Sequence, residues 1–312
     1  MRRSSSQAGF SLPELLIAMA IMLAISGAAV SALLKMTATQ ATIWNRTQMH
    51  SGIRGATEVL QQEVGQAGRV TLPVAVTLTN PSTAGTTVDL PVSSTAGIFV
   101  GERLVLDTGG NSEPVVVTAI NTSTSTVTVT SFVSGQTIPA HSSGVPLQAL
   151  GGFSAGIVPA SVTNGSSGTI LKMFGDINAD GNMVYIEYSC DIPPGGVGNL
   201  YRNSMAWNAT APSPPPAASQ ILLSNITVNP NGTPCFTYQT QTLNGITFVT
   251  DVAITLTVQT QLIDPVTKRF QTETKALLNV SPRNVFNAWM NESIGNRERV
   301  QPIPPSITAL LP

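Results

Sequence analysis

From Phe10 to Leu34 the chain is almost purely apolar, yet it carries Glu14 near the start of the run. These 25 residues form a segment long enough, as a helix, to cross a hydrocarbon core of about 30 Å. Beyond Lys35 the apolar positions thin out but keep a helical period. Met49, Ile53, Ala56, Leu60, Val64 and Ala67 step by threes and fours, which is one helix face. Gln48, Arg54, Glu58, Gln61 and Glu63 occupy much of the rest. Gly65 and Gly68 mark the expected end. The pattern predicts one helix from about Phe10 to Arg69, roughly 90 Å long at 1.5 Å per residue. Its first half is hydrophobic all round and its second half is amphipathic. Such a rod suits burial in membrane or in a helical bundle below and packing on a head above. Gly52 and Gly55 are expected to loosen it, at about 1 kcal/mol each against alanine.

After Arg69 the period changes to two. In "VAITLTVQ", Val252, Ile254, Leu256 and Val258 share one face, and Ala253, Thr255, Thr257 and Gln259 the other, as in a half-buried antiparallel strand. Further strands are expected near 98–106, 114–120, 126–132, 169–174, 184–190, 221–228, 235–240 and 272–280. Asn-Gly pairs at 164, 231 and 244 supply turns. "PSPPPAA" at 212–218 reads as a loop, and the Pro-rich tail from Gly295 as extended and solvent-facing. The predicted class is α+β: a long N-terminal helical stem (10–69) and an antiparallel β-rich head. The head divides into a β-rich insertion at 70–150, a second β part at 151–294 and the tail at 295–312.

Composition narrows the function. Only 10 % of residues are charged and the net charge is −1, so no basic surface for nucleic acid is expected. Thr, Ser, Asn, Gly, Pro and Val are abundant instead, as in exported β proteins with many turns. Cys190 and Cys235 are the only cysteines. In an oxidising compartment they would form one disulfide; the other reading is two buried thiols. His50 and His141 are the only histidines and lie far apart in sequence. There is no HExxH, CxxC or Gly-rich phosphate loop, and no serine has an evident base. No catalytic residue is therefore expected, and the chain does not read as an enzyme. Trp207, beside the Pro-rich loop, is expected to pack there rather than serve as an adhesive surface residue.

One segment fits a metal loop. "DINADGNMVYIE" matches the calcium pattern, with Asp176, Asn178 and Asp180 supplying oxygens, Gly181 the sharp turn, Asn182 a carbonyl and Glu187 the last carboxylate. Val184 offers no side-chain oxygen, however, and "VYIEYS" reads as strand. The other reading is an Asx-rich turn that needs no ion. Ca²⁺ is the one cofactor the sequence suggests.

The leader "MRRSSSQAG" followed by "FSLPELLIAMAI" resembles the type IV prepilin N-terminus. The resemblance implies that a prepilin peptidase removes residues 1–9, cutting between Gly9 and Phe10, and that the new amine of Phe10 is methylated. It also implies that Glu14, fifth in the mature chain, meets the Phe10 amine of a neighbouring subunit. In low dielectric, desolvation offsets much of such a pair's Coulomb gain, so its value is register. Pro13 is tolerated in a first helical turn. Arg2 and Arg3 would hold the N-terminus in the cytoplasm. "AISGAAVSA" could also serve as a secretory cleavage site, but the helical pattern continues past it.

"DINADGNMVYIEYSC", "LYRN" and "VSPRNV" resemble the PilW-like minor pilins, and residues 88–148 resemble a small β module of exported and phage-associated proteins, with a structural or surface role. These resemblances imply a minor pilin of a type IV pilus, anchored in the inner membrane with its head in the periplasm and later on the cell surface. Its partners would be other pilins, the prepilin peptidase and the inner-membrane assembly machinery. A type II secretion pseudopilin, and an adhesive or surface-binding module on a pilin stem, are the alternatives.

Overall fold

The computed structural model describes residues 9–211 and 217–311; the leader ahead of Gly9 and most of the loop expected at 212–218 lie outside them. In chain order the elements are α1 (Leu12–Gln66), β1 (Val76–Thr77), β2 (Thr87–Pro91), β3 (Arg103–Leu106), β4 (Glu113–Asn121), β5 (Thr126–Ser131), β6 (Pro146–Ala149), β7 (Gly152–Phe153), β8 (Ile170–Gly175), β9 (Val184–Asp191), β10 (Gly198–Ala206), β11 (Ile221–Thr227), β12 (Phe236–Leu243), β13 (Ile246–Gln259), β14 (Thr272–Val280), α2 (Arg283–Ser293), β15 (Val300–Gln301) and α3 (Pro305–Leu310). This is the expected α+β layout, a long N-terminal helix followed by an antiparallel β-rich head. The chain forms two compact units, Met1–Ser51 with Gln259–Thr272, and Gly52–Val258 with Glu273–Pro312.

In the first unit, α1 is exposed at every residue up to Thr37, and its first half-buried position is Ala38. A helix with Leu, Ile, Met and Ala on all sides and no protein cover is what a lipid or a bundle of like helices would stabilise.

In the second unit the predicted face of α1 is buried: Ile53, Ala56, Leu60, Val64 and Ala67 are each at most 2 % exposed. Gly52 lies within unbroken helix, and a Cβ there would come within 3.3 Å of Leu223 Cδ1. It therefore allows close packing on β11 rather than breaking the rod. The helix ends at Gly68 (φ 81°), whose left-handed backbone suits glycine. Its N–H donates to Phe174 O at 2.9 Å. Gly65 sits inside α1 and plays no part in stopping it.

Two antiparallel sheets follow. The first has the order β1-β6-β3-β4-β5-β2. Its core holds Val88, Leu90, Leu104, Leu106, Val115, Val117, Val127 and Val129. All six strands fall between residues 76 and 149. The second has the order β12-β13-β11-β10-β9-β8, with β14 beside β13. Within β13, Val252, Ile254, Leu256 and Val258 are buried as the alternation predicts. Of the three Asn-Gly pairs, only Asn244-Gly245 closes a hairpin, between β12 and β13, with φ 51° and 81°.

The tail corrects an expectation. Residues 295–311 are not an extended solvent-facing strip: β15 pairs in parallel with β7, and Val300, Gln301, Ile307 and Leu310 are at most 1 % exposed. Pro304 and Pro305 stand where a short helix starts, a position that tolerates proline. The apolar positions of "VQPIPPSITALLP" thus serve the core. Strand β10 and helix α2 are absent from the sequence reading. Arg202 and Asn203 mask the alternation of β10, and α2 buries only Val285, Ala288 and Glu292. Their i, i+3, i+7 spacing after Pro282 was the signal that marks it.

Candidate functional site

The distinctive chemistry lies at the start of α1. Ser11 precedes the first helical turn, and Glu14 stands three residues later. The Glu14 carboxylate (Oε2) accepts from the Ser11 backbone N–H at 3.3 Å and from its hydroxyl at 3.2 Å. This is the return half of a capping box, and Glu14 also places negative charge at the positive end of the helix dipole. Within one chain Glu14 therefore supports its own helix start. Pro13 fits this first turn, where its missing N–H costs nothing. Phe10, Leu12, Leu15, Leu16 and Ile17 are all more than half exposed, so the carboxylate is set among uncovered apolar side chains. The segment is long and apolar enough to cross a membrane.

At its other end α1 is fixed by charge as well as by packing. Arg202 on β10 grips Glu63 with Nε and Nη2, at 3.0 and 2.6 Å to Oε1, and the Tyr188 hydroxyl donates to Oε2 at 2.5 Å. Burial, and then the Glu63 charge, push the Tyr188 phenol up, so it stays a donor. Just past the helix, Arg69 lies 3.5 Å from Asp176, and Asp176 N–H donates to Arg69 O at 2.9 Å. Neither contact was evident from sequence, because the partners are more than a hundred residues apart.

Three of the suggested calcium residues are linked by hydrogen bonds to one another's backbone. Asp176 is buried, and its Oδ1 accepts from Asp180 N–H at 3.0 Å; Asp180 Oδ1 in turn accepts from Asn182 N–H at 2.9 Å. Gly181 has the expected positive φ, 86°. Glu187 lies on β9 opposite Lys172, 3.6 Å from its ammonium, and accepts from the Tyr185 hydroxyl at 3.1 Å. Among the described residues no three His, Cys, Asp or Glu side chains are grouped to hold a metal. Asn178 is exposed at the turn. These contacts are those of an Asx-rich turn leading into a strand.

Cys190, on β9, is bonded to Cys235, which precedes β12, with Cα atoms 6.6 Å apart. His141 is buried in the first sheet's module, with Nδ1 3.0 Å from Asp107 Oδ2, and this hydrogen bond holds the Asp107 carboxyl below its usual range. Trp207 is half-buried and meets Phe99 edge-on at 5.9 Å, so it packs in the head as expected.

No curated protein matches the chain. Residues 4–30 match the family described as the prokaryotic N-terminal methylation motif. That stretch contains Gly9, Phe10, Ser11 and Glu14, and it supports a type IV pilin-like protein, of a pilus or a pseudopilus, with a structural role rather than an enzymatic one.

Proposed function

We propose that the chain is a minor pilin of a type IV pilus. It waits in the inner membrane, held by α1, with its head in the periplasm. A prepilin peptidase cuts between Gly9 and Phe10, and the Phe10 amine is methylated. The mature α1 then enters a bundle of other pilins' helices, where Glu14 meets a neighbour's Phe10 amine. The observation that carries this reading is the methylation motif at the head of a 55-residue helix whose apolar lower part is exposed on all sides. Hydrocarbon or sister helices cover such a surface, and the ion pair sets their register. In the PilW-like manner, the subunit would help initiate assembly or sit at the tip. Among the described residues its head carries two large antiparallel sheets and a short parallel pair, which is bulky for a repeated shaft subunit.

The test compares a deletion strain with its parent. Loss of surface pili with normal exoprotein secretion is the expected result. Intact pili with secretion lost would assign the chain to a type II secretion pseudopilus. N-terminal sequencing of the purified protein should begin at methylated Phe10.

A further inference from the structure

The loop between β13 and β14 belongs to the same unit as the membrane-length part of α1. One carboxylate in it, Asp264, is turned inward. Asp264, 1 % exposed, accepts the N–H groups of Val266 and Thr267 at 2.7 and 2.8 Å and also the Gln271 side-chain amide. These N–H groups, with the Thr42 hydroxyl and the Arg46 charge, hold its carboxyl below the usual range. Arg46 donates to the Gln271 side chain. Going from Gln271 to Asp264, the loop thus passes from Arg46 to Thr42, one turn down the helix towards Lys35.

With Asp264 bonded inside this knot, the loop leaves its apolar side chains outside. Leu262, Ile263, Val266 and Phe270 are 63, 53, 63 and 45 % exposed, and Trp44 on the adjoining helix is 71 % exposed. Lys268 and Arg269 stand exposed among them. Thr42, the lower of the loop's two contacts on the helix, is seven residues past Lys35, or about 10 Å along the axis, so the exposed tips lie within side-chain reach of the headgroup layer, about 5–7 Å thick, that borders the hydrocarbon core. Apolar and aromatic tips beside basic side chains at such an edge match an anionic lipid surface.

We propose that, before assembly, the 261–270 loop is a membrane-interface foot. Leu262, Ile263, Val266 and Phe270 enter the headgroup–acyl boundary, and Lys268 and Arg269 meet lipid phosphates. This rests on the reading of α1 as a membrane anchor, and the experiment separates the two.

The full chain is reconstituted in vesicles of phosphatidylethanolamine and phosphatidylglycerol. With Cys190 and Cys235 bonded, a single new thiol carries an environment-sensitive dye, in the variants Val266→Cys, Ile25→Cys and Ser123→Cys. The expected result is that the dye at 266 is quenched by shallowly brominated lipid and is severalfold less open to aqueous iodide than the dye at 123. Its lipid quenching should fall when Lys268→Glu and Arg269→Glu are added. Lipid quenching at 25 with full iodide access at 266 overturns the foot and leaves the anchor standing. No lipid quenching at 25 overturns the anchor itself. Shielding at 266 that rises with protein-to-lipid ratio, without lipid quenching, makes the occupant a second copy and also overturns the proposal.

Discussion

Glu102 shows how much one buried carboxyl governs. It is fully buried just before β3, with Oε2 accepting from the Phe99 N–H at 3.2 Å and Oε1 without a hydrogen-bond partner among the described residues. Burial pushes its carboxyl up from 4.5 to about 8, and the Phe99 N–H pulls weakly the other way. The folded state thus keeps a proton that the unfolded chain gives up. Stability from the neutral carboxyl is fully present below about 4.5 and is lost as pH rises through about 8. A shift of this size corresponds to a few kcal/mol. Melting curves in detergent should therefore show stability falling from about pH 5 to about pH 9. Glu102→Gln should flatten that fall and raise the melting temperature at the alkaline end.

Gln301 is the second decisive residue. Its side chain accepts from Arg103 N–H at 3.0 Å and donates to Arg103 O at 2.7 Å and Leu150 O at 2.9 Å. One buried amide thereby completes the start of β3 from the far end of the chain. Gln301→Ala leaves these main-chain groups unpaired, and denaturant unfolding should register a loss of about 3 kcal/mol. Nothing in "RVQPIPPS" marks Gln301 as buried, because its partners are set by a contact across 198 residues.

At the scale of elements, the Asp176–Glu187 segment carries its own prediction. One oxygen of each aspartate accepts a main-chain N–H, Asp176 Oδ2 is buried without a hydrogen bond 3.5 Å from Arg69 Nε, and Glu187 meets Lys172 and Tyr185. If this turn takes Ca²⁺, calcium should raise the melting temperature of the full chain and Asp180→Ala should abolish the gain; a melting temperature that neither calcium nor chelator moves removes the metal reading. The disulfide joins β9 to the approach of β12 across 45 residues. Closing a loop of that length restricts the unfolded chain by about 4 kcal/mol in the chain-entropy model. Reduction should lower the denaturant midpoint accordingly, and unreduced protein should yield no alkylated cysteine by mass analysis.

Elements also differ in how openly the sequence announces them. The buried face of α1 and the alternation of β13 are local periodicities, so both could be read in advance. Strand β10 could not, since Arg202 sits where an apolar residue would complete the pattern and is held there by Glu63. The capping contact between Ser11 and Glu14 was present as a serine followed three residues later by glutamate, but the same letters carry the processing motif.

For the whole molecule, the decisive question is how the exposed lower part of α1 is covered. Glu14→Ala should leave membrane insertion intact, because the apolar run is unchanged, yet reduce incorporation into filaments several-fold. Fractionation against immunoblotting of sheared filaments measures both. Equal incorporation would remove the register role. Loss of the capping contact alone costs about 1 kcal/mol of helix start, far too little to expel a membrane-length helix.

By itself the sequence determined the long apolar helix, its amphipathic continuation, the processing motif and the two stretches of β structure, because each is written in neighbouring residues at a fixed period. The tertiary structure alone decided that the tail is core, that Glu63 and Gln301 are tied to strands far away, that the two cysteines meet, and that Asp264 of the 261–270 loop turns inward. Those outcomes depend on which distant backbone groups are left needing a partner once the sheets have formed, and no local pattern records that need.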